Sequence, residues 1–203
     1  MTVALIGPMG AGKSSVGRRL AKALAVPFTD TDARVAVAHG PIPELFAERG
    51  EAGFRAVERQ AVAAALAEAG VVALGGGAVL DPATRADLAH CTVVLLTVDE
   101  DVVAERLAGG RRPLLTDGVA SWRRILDERL PLYTALADVT VDTSRRPMAH
   151  VVDELAALPA VQQAAIGTVG SGGADEGRLG RADGEPLASA RTAPAASAGG
   201  AGR

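Results

Sequence analysis

The sequence predicts an α/β fold: a mostly parallel sheet with helices on both faces. Three observations carry this. Short runs rich in Val, Leu and Ile alternate with amphipathic stretches of helical length up to Leu158. Two of the runs, Val71–Leu74 and Thr92–Val98, are mostly apolar, as strands buried on both faces are. The glycine-rich segments Gly7–Gly12 and Gly75–Gly77 each follow a strand, where ligands of such sheets bind.

The elements follow in order. Thr2–Ile6 reads as a strand entering a glycine loop. Ser14–Leu24 reads as a helix, with Val16, Leu20 and Leu24 repeating every four residues on one face. Val26–Thr29 is a second short strand. Pro43–Arg49 and Phe54–Ala69 are helices. Val71–Leu74 is a buried strand, Pro82–Ala89 a helix, and Thr92–Val98 a fourth strand. Glu100–Leu107 is a helix stopping at Gly109-Gly110, and Trp122–Ala137 a long helix containing Pro131. Val139–Asp142 is the last strand and Pro147–Leu158 the last helix. No internal repeat is visible.

From Pro159 the composition changes. Of the 37 residues from Gly167 to Arg203, 26 are Gly, Ala, Ser, Thr or Pro, too few apolar groups to offset the entropy of ordering. The expected organisation is a domain over 1–158 and a disordered Gly/Ala-rich tail over 159–203.

Composition excludes several functions. Aromatic residues are 2% of the chain, which rules against a stacking platform for single-stranded nucleic acid. A formal charge of −3 leaves no broad basic footprint for DNA or RNA. The single Cys91 excludes an internal disulfide framework and a multi-cysteine metal site. No apolar run reaches membrane-spanning length, and Met1–Ile6 does not read as a signal peptide, so a soluble cytoplasmic protein is expected.

The strongest motif is Gly7-Pro8-Met9-Gly10-Ala11-Gly12-Lys13-Ser14, which fits G-x-x-x-x-G-K-[ST] between a strand and a helix. Glycines let backbone N–H groups wrap a phosphate, and the helix start adds its positive dipole end. Lys13 reaches the β and γ phosphates of a nucleotide, and Ser14 offers a hydroxyl to Mg²⁺. Guanine-specific switches need an Asn-Lys-x-Asp element. The only lysines are Lys13 and Lys22, and neither lies in one. A small-molecule kinase is the remaining class for a chain of this length.

Asp30-Thr31-Asp32 follows the second strand. Alternation along an extended segment would place both carboxylates on one side, near the phosphate loop. One carboxylate can hold Mg²⁺ through water and the other can accept the proton of an attacking hydroxyl; the competing reading is a surface turn or helix cap. Gly75-Gly76-Gly77 suits a ligand approaching the main chain, against a plain turn. Arg55, Arg111-Arg112 behind hinge glycines, and Arg129 before Pro131 present guanidinium forks for carboxylate or phosphate, against ordinary surface charge. His39, His90 and His150 lack metal spacing. Trp122 is expected to pack rather than stack on a base.

This ordered set of motifs resembles the shikimate kinases. The resemblance rests on G-P-M-G-A-G-K-S-S-V-G at 7–17, D-T-D at 30–32, G-E-A-G-F-R-A-V-E at 50–58, G-G-G at 75–77, R-R-P-L-L at 111–115, R-L-P-L-Y at 129–133 and V-D-T-S-R-R-P at 141–147. It implies a three-layer P-loop kinase fold of the nucleoside-monophosphate-kinase type. That fold has a five-stranded parallel sheet, a helical substrate-binding insert near 33–60 and a lid near 108–120. It implies ATP-dependent phosphorylation of the 3-hydroxyl of shikimate, with Mg²⁺, in chorismate biosynthesis, by a monomer.

Residue by residue, the resemblance gives Gly10, Ala11, Gly12, Lys13, Ser14 and Ser15 to the nucleotide phosphates. Asp30 and Ser14 go to Mg²⁺, and Asp32 to the shikimate hydroxyls as base. Arg55 and Arg129 clamp the shikimate carboxylate beside Gly76 and Gly77. Arg112 reaches over the phosphates from the lid, while Arg106, Arg146 and Pro147 flank the adenine. Two alternatives remain: a related kinase resembling the gluconate kinases, disfavoured by the arginine pair, and a catalytically silent nucleotide-binding module, disfavoured because every expected catalytic position is filled. The chain departs from the pattern at Gly40-Pro41-Ile42-Pro43, one residue shorter, where prolines replace the usual capping Ser/Thr.

Overall fold

The computed structural model describes residues 1–108 and 118–169, all within a compact unit spanning Met1–Gly173. Strands β1 (Thr2–Ile6), β2 (Phe28–Asp30), β3 (Gly70–Ala73), β4 (Thr92–Thr97) and β5 (Val139–Asp142) form one sheet in the order β2-β3-β1-β4-β5. Every pairing is parallel; at the centre Leu5 lies opposite Ala73 on one side and Val94 on the other. The helices are α1 (Lys13–Leu24), α2 (Thr31–His39), α3 (Ile42–Ala67), α4 (Pro82–Leu88), α5 (Glu100–Ala108), α6 (Val119–Leu136), α7 (Met148–Ala157) and α8 (Pro159–Val169). A short 3-10 turn covers Ala78–Leu80.

Because successive strand side chains point to opposite faces, the sheet divides its own residues between two cores. Val3, Leu5, Val71, Val94, Leu96 and Val141 face α1, α7 and α8, meeting Val16, Leu20, Val151, Leu155 and Val161. Ala4, Ile6, Val72, Val93 and Leu95 face α3, α4 and α6, meeting Val62, Leu88 and Tyr133. Each fully buried aliphatic side chain contributes roughly 1.5–3 kcal/mol to folding. A third, smaller cluster of Val35, Leu45, Phe54 and Val57 packs α2 against α3, with the Phe46 and Phe54 rings stacked 4.3 Å apart.

Three expectations need correction. The chain does not become disordered at Pro159: residues 159–169 form α8, and Val161, Ala164 and Ala165 are buried, the first two in the sheet's core. Their i, i+3, i+4 spacing is a helical face, hidden in sequence by an alanine-rich composition. Residues 170–203 lie outside the described residues. Asp30 and Asp32 do not alternate along a strand. The strand stops at Asp30, whose side chain accepts the Ala33 N–H at 3.1 Å and caps α2, a helix absent from the element-by-element reading though within the helical insert that the resemblance implied; Asp32 lies in its first turn. The two stretches 43–49 and 54–69 form one run, α3, broken only at Gly50 (φ 64°, ψ −177°), a backbone conformation that glycine adopts without strain.

Pro41 caps α3 and Pro43 sits in its first turn, so the shortened segment still starts a helix. Pro131 is carried inside α6 without ending it. Among the described residues no helix is long and apolar enough to cross a membrane.

Candidate active site

The carboxyl ends of β1, β2 and β3 open onto two glycine loops. The first follows β1. Gly10 and Gly12 hold left-handed φ values of 86° and 85°, and Gly12 caps α1 without a side-chain acceptor for the first-turn N–H groups. A Cβ on Gly7 would collide with the Leu96 carbonyl, so the loop lies tight against β4. The Lys13 ammonium folds back over it, donating to the Gly7 and Pro8 carbonyls at 2.8 and 2.9 Å. Ser14 and Ser15 are exposed at the start of α1 and Ala11 is buried beneath. Thr143, after β5, donates to the Ala11 carbonyl at 3.0 Å, and the Met148 methyl lies 3.8 Å from where a Gly12 Cβ would be. The loop holding Arg146 and Pro147 thus abuts the phosphate loop, with Arg146 paired to Glu154.

The second loop, Gly75-Gly76-Gly77, follows β3, and Gly75 and Gly77 are needed for space rather than for φ. A Cβ on Gly75 would strike the Asp32 carboxylate and lie 2.8 Å from Glu58 Oε1; one on Gly77 would lie 2.7 Å from Arg55 Nη2. One on Gly76 would sit 3.9 Å from Arg129 Nη1 and 3.6 Å from both the Tyr133 hydroxyl and the Gly7 carbonyl. Side chains from α2, α3 and α6 thereby converge on three consecutive backbone positions, next to the start of the phosphate loop. Thr31, fully buried, accepts the Gly75 N–H at 3.0 Å and fixes the loop to α2.

The electrostatics are concentrated there. Glu58 is 4% exposed and pairs with Arg55 at 2.6 Å, one helical turn away. Burial pushes the Glu58 carboxyl above the usual range; Arg55 pulls it back down, and Asp32 adds to the rise. Burial also works against the Arg55 charge, but the hydrogen bonds it donates to Glu58 and Glu51, with their negative charge, outweigh it and hold the guanidinium protonated. Arg129 Nε is buried with no hydrogen-bond partner among the described residues. Arg59 Nη1 and Thr84 Oγ1, away from these loops, share that condition, while the Arg129 guanidinium also contacts the Tyr133 hydroxyl.

The chain matches the shikimate kinase family model over residues 9–158. It is 51% identical over 158 residues to a shikimate kinase of Salinispora arenicola, covering 76% of this chain and 95% of the relative. A shikimate kinase of Thermobifida fusca is 47% identical over 167 residues, covering 80% and 95%. The chain belongs to the shikimate kinase family. The solved shikimate kinase from Acinetobacter baumannii in complex with shikimate superposes with a TM-score of 0.72 at 33% identity, over 75% of this chain and 89% of that one. The fold is accordingly that of the P-loop kinases, with the five-stranded parallel sheet anticipated from the sequence.

The structure brings Asp32, Arg55, Gly76, Gly77 and Arg129 together and places Lys13 and Ser14 at the start of α1, directly after the neighbouring loop. Asp30 stands at the same sheet edge, with one oxygen occupied by capping α2. Arg106 lies on α5, at the end leading to the segment expected to form the lid, and Arg112 falls outside the described residues.

Sequence reading gave no role to Glu58, Thr31, Thr143 or Tyr133. Glu58 had a signal, an i, i+3 partner for Arg55 on a helix. Tyr133 had a weaker one, lying four residues after Arg129 on the same face. The threonines had none, because their partners are backbone groups distant in sequence. His39, His90 and His150 are exposed, and no metal-binding cluster of His, Cys, Asp or Glu occurs among the described residues. Trp122 is 3% exposed and packed in the core.

Proposed function

We propose that this protein transfers the γ-phosphate of ATP to the 3-hydroxyl of shikimate, yielding shikimate 3-phosphate and ADP, a step of the shikimate pathway. The observation that carries this reading is the convergence of Arg55 and Arg129 on Gly76-Gly77, with Asp32 against Gly75. Two guanidinium groups suit one carboxylate, and a separate carboxylate suits a ring of hydroxyls, the two halves of a hydroxy acid.

The phosphate loop takes the nucleotide. Its glycines leave room for phosphate oxygens against backbone N–H groups, and Lys13 exchanges the Gly7 and Pro8 carbonyls for those oxygens. Ser14 and Asp30 offer hard oxygen donors, a hydroxyl and a carboxylate, of the kind Mg²⁺ takes with several waters retained. When bound, Mg²⁺ neutralises charge on the β and γ phosphates. Asp32 orients the 3-hydroxyl and accepts its proton as the oxygen–phosphorus bond forms and ADP departs. Arg112 covers the transferring phosphate, and Arg106, Arg146 and Pro147 flank the adenine. Two anions must be held together, and positioning with charge stabilisation supplies most of what phosphoryl transfer needs. The reading includes a cytoplasmic monomer acting on small molecules.

The test is a coupled ADP-release assay with shikimate, quinate and gluconate. Turnover should require shikimate and fall by about two orders of magnitude or more in both Lys13→Met and Asp32→Asn. Turnover on gluconate without shikimate, or unchanged rates in both variants, would overturn it.

A further inference from the structure

Helix α6 touches both glycine loops. Near its start the Trp122 indole Nε1–H donates to the Met9 carbonyl of the phosphate loop at 2.8 Å. Near its end the Tyr133 hydroxyl donates to the Gly76 carbonyl at 2.5 Å. Both rings are buried, Trp122 to 3% and Tyr133 to 1% exposure. The two anchors are separated by roughly 16 Å of helix, three turns, at 1.5 Å per residue. Arg129 projects from the same helix between them, onto Gly76. The loops also meet directly, since the Gly7 carbonyl lies 3.6 Å from a Cβ position on Gly76.

We propose that α6 is a spacer that sets the nucleotide loop and the substrate loop in register, with Trp122 and Tyr133 as its two positioning residues. This rests on the reading of the loops given under Proposed function. Each anchor grips a carbonyl rather than a ligand, the Tyr133 hydroxyl also contacting the Arg129 guanidinium, and gripping a carbonyl turns the adjoining peptide's N–H to the opposite side. Tyr133 therefore orients the Gly76–Gly77 peptide between the Asp32 and Arg55 side chains, and Trp122 orients the Met9–Gly10 peptide of the phosphate cradle. Burial raises the Tyr133 phenol above its ordinary pKa, so the hydroxyl remains a donor throughout the working pH range. Loss of either anchor frees one loop from α6, and with it the spacing between the two loops on which transfer depends.

A merely structural pair would satisfy two buried carbonyls and leave kcat at saturating substrates unchanged; a register set by α6 requires kcat to fall about ten-fold in each variant. The two variants separate these cases. Tyr133→Phe removes one oxygen and keeps the ring; shikimate KM should rise about five-fold, with ATP KM within about two-fold of wild type. Trp122→Phe should show the mirror result: ATP KM raised about five-fold, shikimate KM nearly unchanged. Assays run well below each variant's unfolding midpoint, so that the cavity left by Trp122→Phe does not enter. An unchanged kcat, equal shifts in both KM values, or no shift in either for Tyr133→Phe overturns the proposal, and this variant decides alone should Trp122→Phe fail to fold. Wild-type protein without shikimate-dependent ADP release would instead overturn the functional reading.

Discussion

At Glu58, stability and function pull in opposite directions. Its carboxylate sits at 4% exposure beside Arg55, with Asp32 and Arg129 also close enough to act on its charge. Burial raises its folded-state pKa above the unfolded value. Its favourable contribution is therefore complete below the unfolded pKa and is lost as pH rises through the folded one, so at neutral pH the ionised group opposes folding. Arg55 is 27% exposed and keeps Glu51 as a second partner, so removing the Glu58 charge does not strand a buried cation. Glu58→Gln should consequently melt at the same temperature as wild type or higher at neutral pH, and the gap should close as pH falls into the carboxylate range. Shikimate KM should rise about ten-fold, because Arg55 loses its anchor on the side facing Gly77. Calorimetry across that pH range checks the first part and initial-rate kinetics the second. A lower midpoint at neutral pH would show that the pair stabilises the fold after all. The glycines beside it follow the same logic: Gly75 and Gly77 are open because Asp32, Glu58 and Arg55 occupy the space a methyl group would take.

Helix α8 shows what element-level reading loses in an alanine-rich chain. Its buried face is Val161, Ala164 and Ala165, and alanine appears equally in packed helices and in low-complexity segments. Only Val161 distinguished the two, and one residue makes no period. The same composition concealed α2, where only Thr31 and Val35 are buried. The Asp30-Thr31-Asp32 motif drew the eye to its carboxylates rather than to capping, although Asp is among the best N-caps. By contrast α1, with Val16 and Leu20 on one face and a glycine loop before it, was legible at once. Because α8 packs on β1, β3 and β4, truncating the chain after Leu158 should cost about 2–4 kcal/mol, from burial of Val161 and two alanines. Removing only residues 170–203 should leave the unfolding midpoint and the turnover unchanged. Equal midpoints for the two truncations, followed by circular dichroism, would show that α8 adds nothing.

For the whole molecule, the strands and their parallel arrangement could be read from sequence because β-branched runs and glycine loops are local signals. Without the family resemblance, which joined them, the site residues could be read only in pieces. Asp32, Arg55, Gly76, Gly77 and Arg129 were each visible, but their meeting depends on α2, α3 and α6 crossing one sheet edge, which spacing along the chain does not encode. The net charge of −3 misleads in the same way, since it averages over a surface that the anion site does not share. This has a measurable consequence. At long range the acidic molecule repels an anionic substrate, and that repulsion is screened beyond about 8 Å at physiological ionic strength. At short range Arg55 and Arg129 act from half-buried positions against Gly76-Gly77, where salt screens less. The two effects oppose each other as salt rises. Shikimate KM should therefore change by less than about three-fold between about 0.05 and 0.5 M potassium chloride, unlike the steep dependence of a protein that binds through a broad basic face. A ten-fold or greater rise over that range would mean that substrate capture depends on exposed charge rather than on the arginines at the glycine loop.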